Sequence, residues 1–510
     1  MKAIKVFILR HKIIVVVLIL LISIFLRFNK VQDLFVFTGD EEHQLSIAQT
    51  IVNNFHIEWV GVSSADTEFY LGPFWEYFGA LWLYISRGDP AIVAYVASLI
   101  GVVTTLLVYV AGRVLFGNVT AIIASFLYAT LPLIVYYDRK FWNPALTSFA
   151  SLALFASLYK TKDSPGWWIL VAFIYGMVFH IHLSLVPLGL VILYWFWKKK
   201  SKVSMNIILA CAVIFFVTIS PLIGFEYFHK FSNLKTPIRV FNMVKNTPSR
   251  IDPVGHTEQL FKSLGRIWYL YPYRSNSDEV VHGCSLDYTN GKLHKPGITT
   301  TTSGNIFIFS LLSFVLLFCF LIKPSTWKEK NTRLLELFII TIAISYIVLP
   351  NVPLEYYLLG IFPLFLFLPG LVSQSFGSLI KKGFVLFIIL IAFLGAFTVL
   401  TASDLYGLSV KRRLIERTVN YMGDKKYELK ADGLCHLYEG WRFLFKAYAK
   451  KPERSYSDDN LGWLYPDEIT NDKADYRVLV TEMRIQKEVS SGYETVITEG
   501  GFNVYIYPLK

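Results

Sequence analysis

No glycine-rich phosphate loop occurs in this chain. Neither G-x-G-x-x-G nor G-x-x-x-x-G-K-[ST] is present, so nothing in the sequence supports use of ATP or a dinucleotide. Charge is scarce as well: Asp, Glu, Lys and Arg make up 17% of 510 residues, where soluble domains carry about 25%. That shortage, beside a hydrophobic share of 54%, excludes an ordinary soluble globular protein. Cysteine is rare, with 4 residues whose spacing matches no metal framework. Cys211 and Cys319 fall inside apolar runs and are expected to be inert. Cys284 and Cys435 are expected on the same side of a membrane, where a bridge between them stays open.

What the chain has in abundance is apolar runs. Stretches of about 17–25 such residues can cross a hydrocarbon core of about 30 Å as helices. Ile13–Phe25, Ala91–Gly112, Val119–Tyr137, Leu146–Tyr159, Trp167–Ile181 and Leu183–Trp197 are candidate spans. Ile207–Phe225, Ile306–Ile322, Leu334–Leu349, Tyr356–Val372 and Phe384–Leu400 continue the series, about eleven in all. The 41 Phe and 30 Tyr suit lipid-facing surfaces and interfacial belts. A formal net charge of +12 then reads as lysine and arginine gathered at a cytoplasmic rim, not as a nucleic-acid surface.

Short loops set the expected orientation. Lys2, Lys5, Arg10 and Lys12 precede the first span, which reads as an uncleaved helix with a cytoplasmic N-terminus. Alternation puts Arg113, Lys160, Lys162, "KKKSK" (198–202), Lys323, Lys328, Lys330, Arg333, Lys381 and Lys382 on that same side. The expected outer face then carries a first loop (27–90), a large loop (226–303) and a tail (401–510). Residues 1–400 form the membrane domain. In the first loop, "YLGPFWEYFGALWLYISRG" reads as an interfacial helix with Trp75, Tyr77, Trp82 and Tyr84 at headgroup depth. In the tail, "VKRRLIERTVNYM" reads as an amphipathic helix and "YRVLVTEM" and "FNVYIYPL" as strands, which predicts a small α/β domain outside the cytoplasm.

Chemistry-bearing residues gather on the expected outer face. "FVFTGDEEHQLSIAQTIVNNF" opens a helix with Asp40, Glu41 and Glu42. Asp40 as an N-cap is one reading. The other is a catalytic carboxylate, held at a fixed depth by an apolar stripe (Leu45, Ala48, Val52, Phe55) that would lay the helix flat on the membrane. "YYDRKFWNP" puts Asp138, Arg139 and Lys140 in a short outer loop, where cations break the positive-inside trend and point to a phosphate. A local Asp–Arg pair is the plainer account. "FHIHLS" carries His180 and His182, which do not share a helix face. "NVPLEYYLLGIFP" brings Glu355, Tyr356 and Tyr357 toward the same side. "FKSLGRIWYLYPYR" mixes Lys262, Arg266 and Arg274 with Trp268, Tyr269, Tyr271 and Tyr273, which suits a phosphate and a sugar ring as well as an interfacial helix.

The acidic start of the first loop, "GPFWEY", and "GRVLFGNVTAIIASFLYATLPLIVYYDRKFWNPALTSFASLALF" resemble the GT-C glycosyltransferases. The branch is that of protein O-mannosyltransferases and lipid A aminoarabinose transferases, and the resemblance spans roughly 1–400. It implies an α-helical polytopic membrane enzyme. A polyprenyl-phosphate-linked sugar donor would pass its sugar, with inversion, to an acceptor protein, lipid or glycan. The family's base in the first outer loop maps to Asp40, with Glu41 beside it. Asp138, Arg139, Lys140, His182, Tyr356, Tyr357 and Arg266 are then expected to bind substrate. The related oligosaccharyltransferase subunits carry a D-x-D in the next outer loop; "DRK" departs from it. A divalent metal on Asp40, Asp138 and His182 is thus the weaker implication, and Arg139 and Lys140 are expected to neutralise the phosphate instead. The rivals from other classes are a transporter or lipid flippase, which would show charge along a pathway, and a scaffold, which leaves the outer charge clusters unexplained.

Overall fold

The computed structural model describes residues 12–55, 57–64, 69–199, 203–246, 252–268, 287–289, 292–294, 303–322, 329–348, 354–433, 439–483 and 489–509. Helix α1 is Lys12–Phe28, followed by α2 (Gly39–Asn54), α3 (Phe74–Ile85) and α4 (Ala91–Phe116). Then come α5 (Asn118–Thr130), α6 (Pro132–Tyr137), α7 (Thr147–Lys160), α8 (Trp167–Ile181), α9 (Leu188–Lys199), α10 (Met205–Thr218) and α11 (Ser220–Phe228). Helices α12 (Thr236–Asn246), α13 (Pro253–Arg266), α14 (Ser303–Ile322), α15 (Lys330–Ile347), α16 (Phe367–Ser373) and α17 (Ser378–Thr401) complete the bundle. The expected spans coincide with helical segments, but several are broken where proline removes a backbone donor. Leu131, extended before Pro132, separates α5 from α6, and α10 and α11 meet at a 58° bend just before Pro221. Among the described residues, Ala91–Phe116 and Ser378–Thr401 are long and apolar enough to cross a membrane alone, and the bent pair α10–α11 makes a third.

The tail folds as expected in kind. Helices α18 (Leu408–Met422) and α19 (Trp441–Tyr448) pack beside strands β1 (Tyr427–Asp432), β2 (Arg454–Ser455), β3 (Tyr476–Glu482), β4 (Thr495–Glu499) and β5 (Phe502–Pro508). The sheet order is β2-β1-β3-β5-β4. Alternation fixes the register: Val478 pairs with Ile506 and Val480 with Val504, and all four are buried. The core of this tail does not stop at its own boundary. Trp441, Phe443 and Phe502 share one cluster with Phe37, Leu45, Trp75 and Ala94, so the first loop is clamped between bundle and tail. The Leu408 N–H donates to the Phe35 carbonyl at 2.8 Å. The expected stripe on α2 therefore has a different job: Leu45 and Ala48 are buried, while Phe55 is 88% exposed. The helix packs on α3 because Trp75, Gly79 and Phe78 offer it an apolar surface closer than lipid.

One buried ion pair anchors the end of the bundle. The Arg27 guanidinium donates to Asp138 Oδ2 at 2.6 and 2.9 Å, to Ser23 Oγ at 2.8 Å and to the Tyr128 carbonyl at 3.0 Å. Tyr128 OH donates to the other Asp138 oxygen at 3.1 Å. Asp138 fits only because position 101 is glycine; a Cβ there would come within 2.5 Å of the Asp138 Cβ. Removing one member of a buried pair strands the other charge, which costs about 3–5 kcal/mol, whereas replacing both with apolar residues is near neutral. Asp138→Leu should lower the stability of purified protein by an amount in that range, and Arg27→Met/Asp138→Leu should recover most of it in denaturant titrations. Equal stability of the single variant and the parent would refute the anchoring role.

Candidate active site

The helix that carries the acids begins with a capping box. Thr38, extended at φ −123°, is the N-cap, and both its N–H (2.8 Å) and its hydroxyl (2.5 Å) donate to Glu41 Oε2. Asp40 thus does not cap the helix; it stands two residues past the cap. The three consecutive acids separate by role. Glu42 turns to the tail and accepts from the N–H groups of Gly440 (2.9 Å) and Phe443 (3.2 Å) at the start of α19, a favourable place for a carboxylate. Beside it, fully buried Lys411 donates to the carbonyls of Phe37 and Glu439 at 2.9 and 2.7 Å. Burial pulls its ammonium down to about 8, with Glu42 the first of the charges opposing this. Asp40 alone remains exposed, and among the described residues it makes no hydrogen bond or ion pair.

The loop after α6 sends its charges in three directions. Asp138 points into the bundle toward Arg27. Arg139, 1% exposed, donates to the carbonyls of Leu26, Arg27 (3.2 Å) and Asn29 (3.0 Å), and so caps the C-terminus of the first span. Asp138 and Arg139, expected to bind substrate, are thus engaged by Arg27, Tyr128 and the carbonyls at the end of α1. Lys140 differs. Its ammonium lies 4.7 Å from the Trp142 ring and 5.4 Å from Tyr136. Burial lowers its pKa, while the nearby charges of Glu41 and Asp40 oppose this. Gln44 on α2 locks the two segments together by donating to Asn143 Oδ1 at 2.6 Å.

The opposite wall is aromatic. Tyr356 packs on Trp142 (centroids 4.7 Å), on Tyr357 (4.7 Å) and edge-on to His182 (5.6 Å), and Asp40 lies within its electrostatic reach. His182 Nδ1 bonds the Ser184 hydroxyl at 2.8 Å, and burial holds the imidazole down to about 4, so it is neutral at ordinary pH. Arg266 pairs with Glu355 at 3.2 Å, and Tyr137 OH donates to the same carboxylate at 2.9 Å. Tyr136 bridges the halves, within electrostatic range of Glu41, Arg266, Glu355 and Asp404. His180 belongs elsewhere, bonded through Nε2 to the Thr218 carbonyl at 2.9 Å. Asp138 and His182 do not converge with Asp40, and among the described residues no three His, Cys, Asp or Glu side chains gather as a metal site. Cys284, Cys435, Tyr269, Tyr271, Tyr273, Arg274, Lys2, Lys5, Arg10, Lys323 and Lys328 lie outside the described residues, as do positions 200–202. Glu355, Trp142, Glu42 and Lys411 complete the surroundings of the site. Of these, Glu355 is signalled by its position before Tyr356 and Tyr357, Glu42 by its place in the acidic run that opens α2, and Lys411 by nothing local.

Burial pushes the Glu41 carboxyl up to about 7; Lys140 opposes this and the Asp40 charge adds to it. The folded value exceeds the 4.5 of a free Glu side chain, so the folded chain holds a proton that the unfolded chain releases between those two values. Stability from this group is full below pH 4.5, falls as pH rises to about 7, and is level above. Glu41→Gln keeps an acceptor for Thr38 and removes the titration. Its unfolding midpoint should rise relative to the parent between pH 5 and 7.5; a difference independent of pH would contradict this.

The relatives agree with this architecture. Residues 71–225 match the family model described as dolichyl-phosphate-mannose-protein mannosyltransferase. No curated protein matches by sequence. Among solved structures, apo ArnT from Cupriavidus metallidurans superposes with TM-score 0.55 at 12% identity, covering 98% of each chain. The same protein bound to undecaprenyl phosphate gives 0.53 at 11%, covering 97% of each. The apo oligosaccharyltransferase of Archaeoglobus fulgidus gives 0.52 at 14%, covering 92% of this chain and 69% of that one. The chain thus shares the fold of these structures, mostly helical with a small C-terminal sheet domain, and the family-model match covers its second to seventh expected spans.

Proposed function

We propose that this chain is a membrane glycosyltransferase that moves a sugar from a polyprenyl-phosphate carrier to an acceptor on a protein, lipid or glycan. The observation that carries the reading is an unengaged carboxylate, Asp40, beside an ammonium, Lys140, under an aromatic wall in a GT-C fold. The undecaprenyl phosphate in the Cupriavidus metallidurans ArnT structure supports a lipid-phosphate donor. In the proposed step the acceptor O–H gives its proton to Asp40, and the acceptor oxygen attacks the anomeric carbon. The bond from that carbon to the phosphate oxygen breaks, and its electron pair leaves with the phosphate. Attack opposite the leaving group inverts the anomeric centre.

Lys140 stabilises the charge that grows on the departing phosphate, more in the transition state than in the ground state. Trp142, Tyr356 and Tyr357 supply aromatic faces for the sugar, and neutral His182 a hydrogen-bonding edge. Glu41, whose carboxyl burial raises to about 7, stands next to Asp40 in the chain, and its Oε2 accepts from Thr38. Arg266 reaches the donor only by sharing its charge with Glu355. The donor set does not fit a divalent metal, because Asp138 is bonded by Arg27 and the positive charge comes from Lys140. The membrane is the cytoplasmic one, with the N-terminus inside and the site and tail at the outer leaflet. This orientation agrees with the first loop, the 138–143 loop and the tail lying at one end of the bundle.

The test uses purified chain and a radiolabelled polyprenyl-phosphate sugar. The parent should release the label from the lipid to acceptor or water. Asp40→Asn should slow this by about 10²–10⁴-fold, the usual contribution of a positioned base. Lys140→Met should lower kcat more than it raises KM. Normal transfer by Asp40→Asn would remove Asp40 from the role. Label that crosses the bilayer still attached to its lipid would point to a flippase instead.

A further inference from the structure

The segment that follows α2 lies across α3 and reaches α11, and one buried acid stands beneath it. Glu76, in the first turn of α3, is fully buried. Neither of its oxygens makes a hydrogen bond of full geometry; the donors within reach are the N–H groups of Glu76 itself and Val62. Gly61 covers the carboxyl directly, since a Cβ there would come within 2.5 and 2.6 Å of the two oxygens. Burial pushes the carboxyl up to about 7, and the like charge of Glu58 adds to this. The other titratable neighbour is the Tyr77 hydroxyl. The helices packed on α3, namely α2, α4 and α8, bring no cation to Glu76 among the described residues. On α8, His180 packs against Gly72 and bonds the Thr218 carbonyl instead.

Positions 57–62 are tied at both ends. The Glu58 N–H donates to the Tyr77 hydroxyl at 2.9 Å, and that hydroxyl donates to the Glu58 carbonyl at 3.1 Å. The Gly61 N–H donates to the Leu71 carbonyl at 2.7 Å, and the Leu71 N–H to the Val62 carbonyl at 3.0 Å. Beyond α3, the Trp59 ring fills the space left at Gly224 on α11, where a Cβ would come within 2.2 Å of it. The same ring meets Phe228 edge-on at 6.2 Å. Asn233 extends the tie by exchanging two hydrogen bonds with the Tyr70 backbone, at 2.9 and 3.0 Å. The segment thus links α11 to α3, which packs on α2 where Gly79 meets Leu45 and Ala48. A neutral carboxyl is compatible with this closed cover. An ionised one is not, because a buried carboxylate without a cation is costly unless water or a proton reaches it.

We infer that Glu76 and Gly61 form a proton-operated latch on the first loop. With the carboxyl neutral, the 57–62 segment lies closed on α3; on ionisation it lifts to hydrate the carboxylate, and the link between α3 and α11 is released. The carboxyl proton goes to solvent. Closed and open forms differ in their affinity for that proton, so pH shifts their populations. The closed form keeps the proton up to about pH 7, whereas a hydrated carboxyl releases it near 4.5. Low pH therefore favours closure, and the bias toward opening grows between those values and levels off above them. The inference is independent of turnover and holds whether or not Asp40 is catalytic.

Hydrogen exchange of the full chain in detergent micelles, read by mass spectrometry at pH 6 and pH 8 and corrected for intrinsic rates, tests it. In the parent, protection of residues 57–62 should fall about tenfold across that interval, while α4 and the tail stay unchanged. Glu76→Gln, which keeps the shape of the neutral carboxyl, should hold its pH 6 protection at pH 8. Gly61→Ala, whose methyl collides with the carboxyl, should leave the segment unprotected at both. Protection in the parent that does not change with pH, an equal fall in Glu76→Gln, or full protection in Gly61→Ala would overturn the latch. A fall shared across the whole chain would assign the change to global stability and overturn it as well.

Discussion

The site depends on the buried Arg27–Asp138 pair. It ties the end of the first span to the loop after α6 where both side chains are buried, so loop and helix end must move together. Arg139 then completes the joint by satisfying the carbonyls that the first span leaves open. Once 138 and 139 are turned toward α1, the geometry of the chain leaves Lys140 facing α2. A run of three charges becomes two anchors and one available cation.

The same division of labour occurs on α2. Glu41 closes the capping box, Glu42 meets the N-terminus of α19, and Asp40 is left unengaged. Two short charged runs, far apart in sequence, thus bring Asp40 and Lys140 within electrostatic reach of one another, while their neighbours hold the backbone in place. The tail participates directly in this positioning. Its core is continuous with Phe37, Leu45 and Trp75, and its buried Lys411 sits among Glu42 and the Phe37 carbonyl. A carboxylate on a surface loop would sample many positions; here α2 is held by α3 on one side and the tail on the other.

Much of the scaffold was legible because apolar length and alternation are local signals. The expected spans match helical segments, and "YRVLVTEM", "FNVYIYPL" and "VKRRLIERTVNYM" became β3, β5 and α18 within a few residues. Side-chain direction was not legible. Adjacency made Asp138, Arg139 and Lys140 look like one cluster, but a loop residue's partner is set by what the fold brings near, and Arg27 lies 111 positions away from Asp138. Asp40 looked like the cap because it is an acid at a helix start, whereas Thr38 wins by standing three residues before Glu41. The stripe on α2 read as lipid-facing because α3 cannot be inferred as its neighbour from periodicity. Glu42 and Lys411 owe their importance to a contact between the first loop and the tail, which no window of sequence contains.

The central claim is that positions 40 and 140 face one another across a single groove. A chain with its four cysteines replaced by serine and new cysteines from Asp40→Cys and Lys140→Cys, treated in intact cells with a short, membrane-impermeant bis-thiol crosslinker, measures it. The account predicts an efficient intramolecular link, lost when either cysteine is omitted. Labelling of the two positions from opposite faces of the membrane, or full labelling of both with no link, would contradict it.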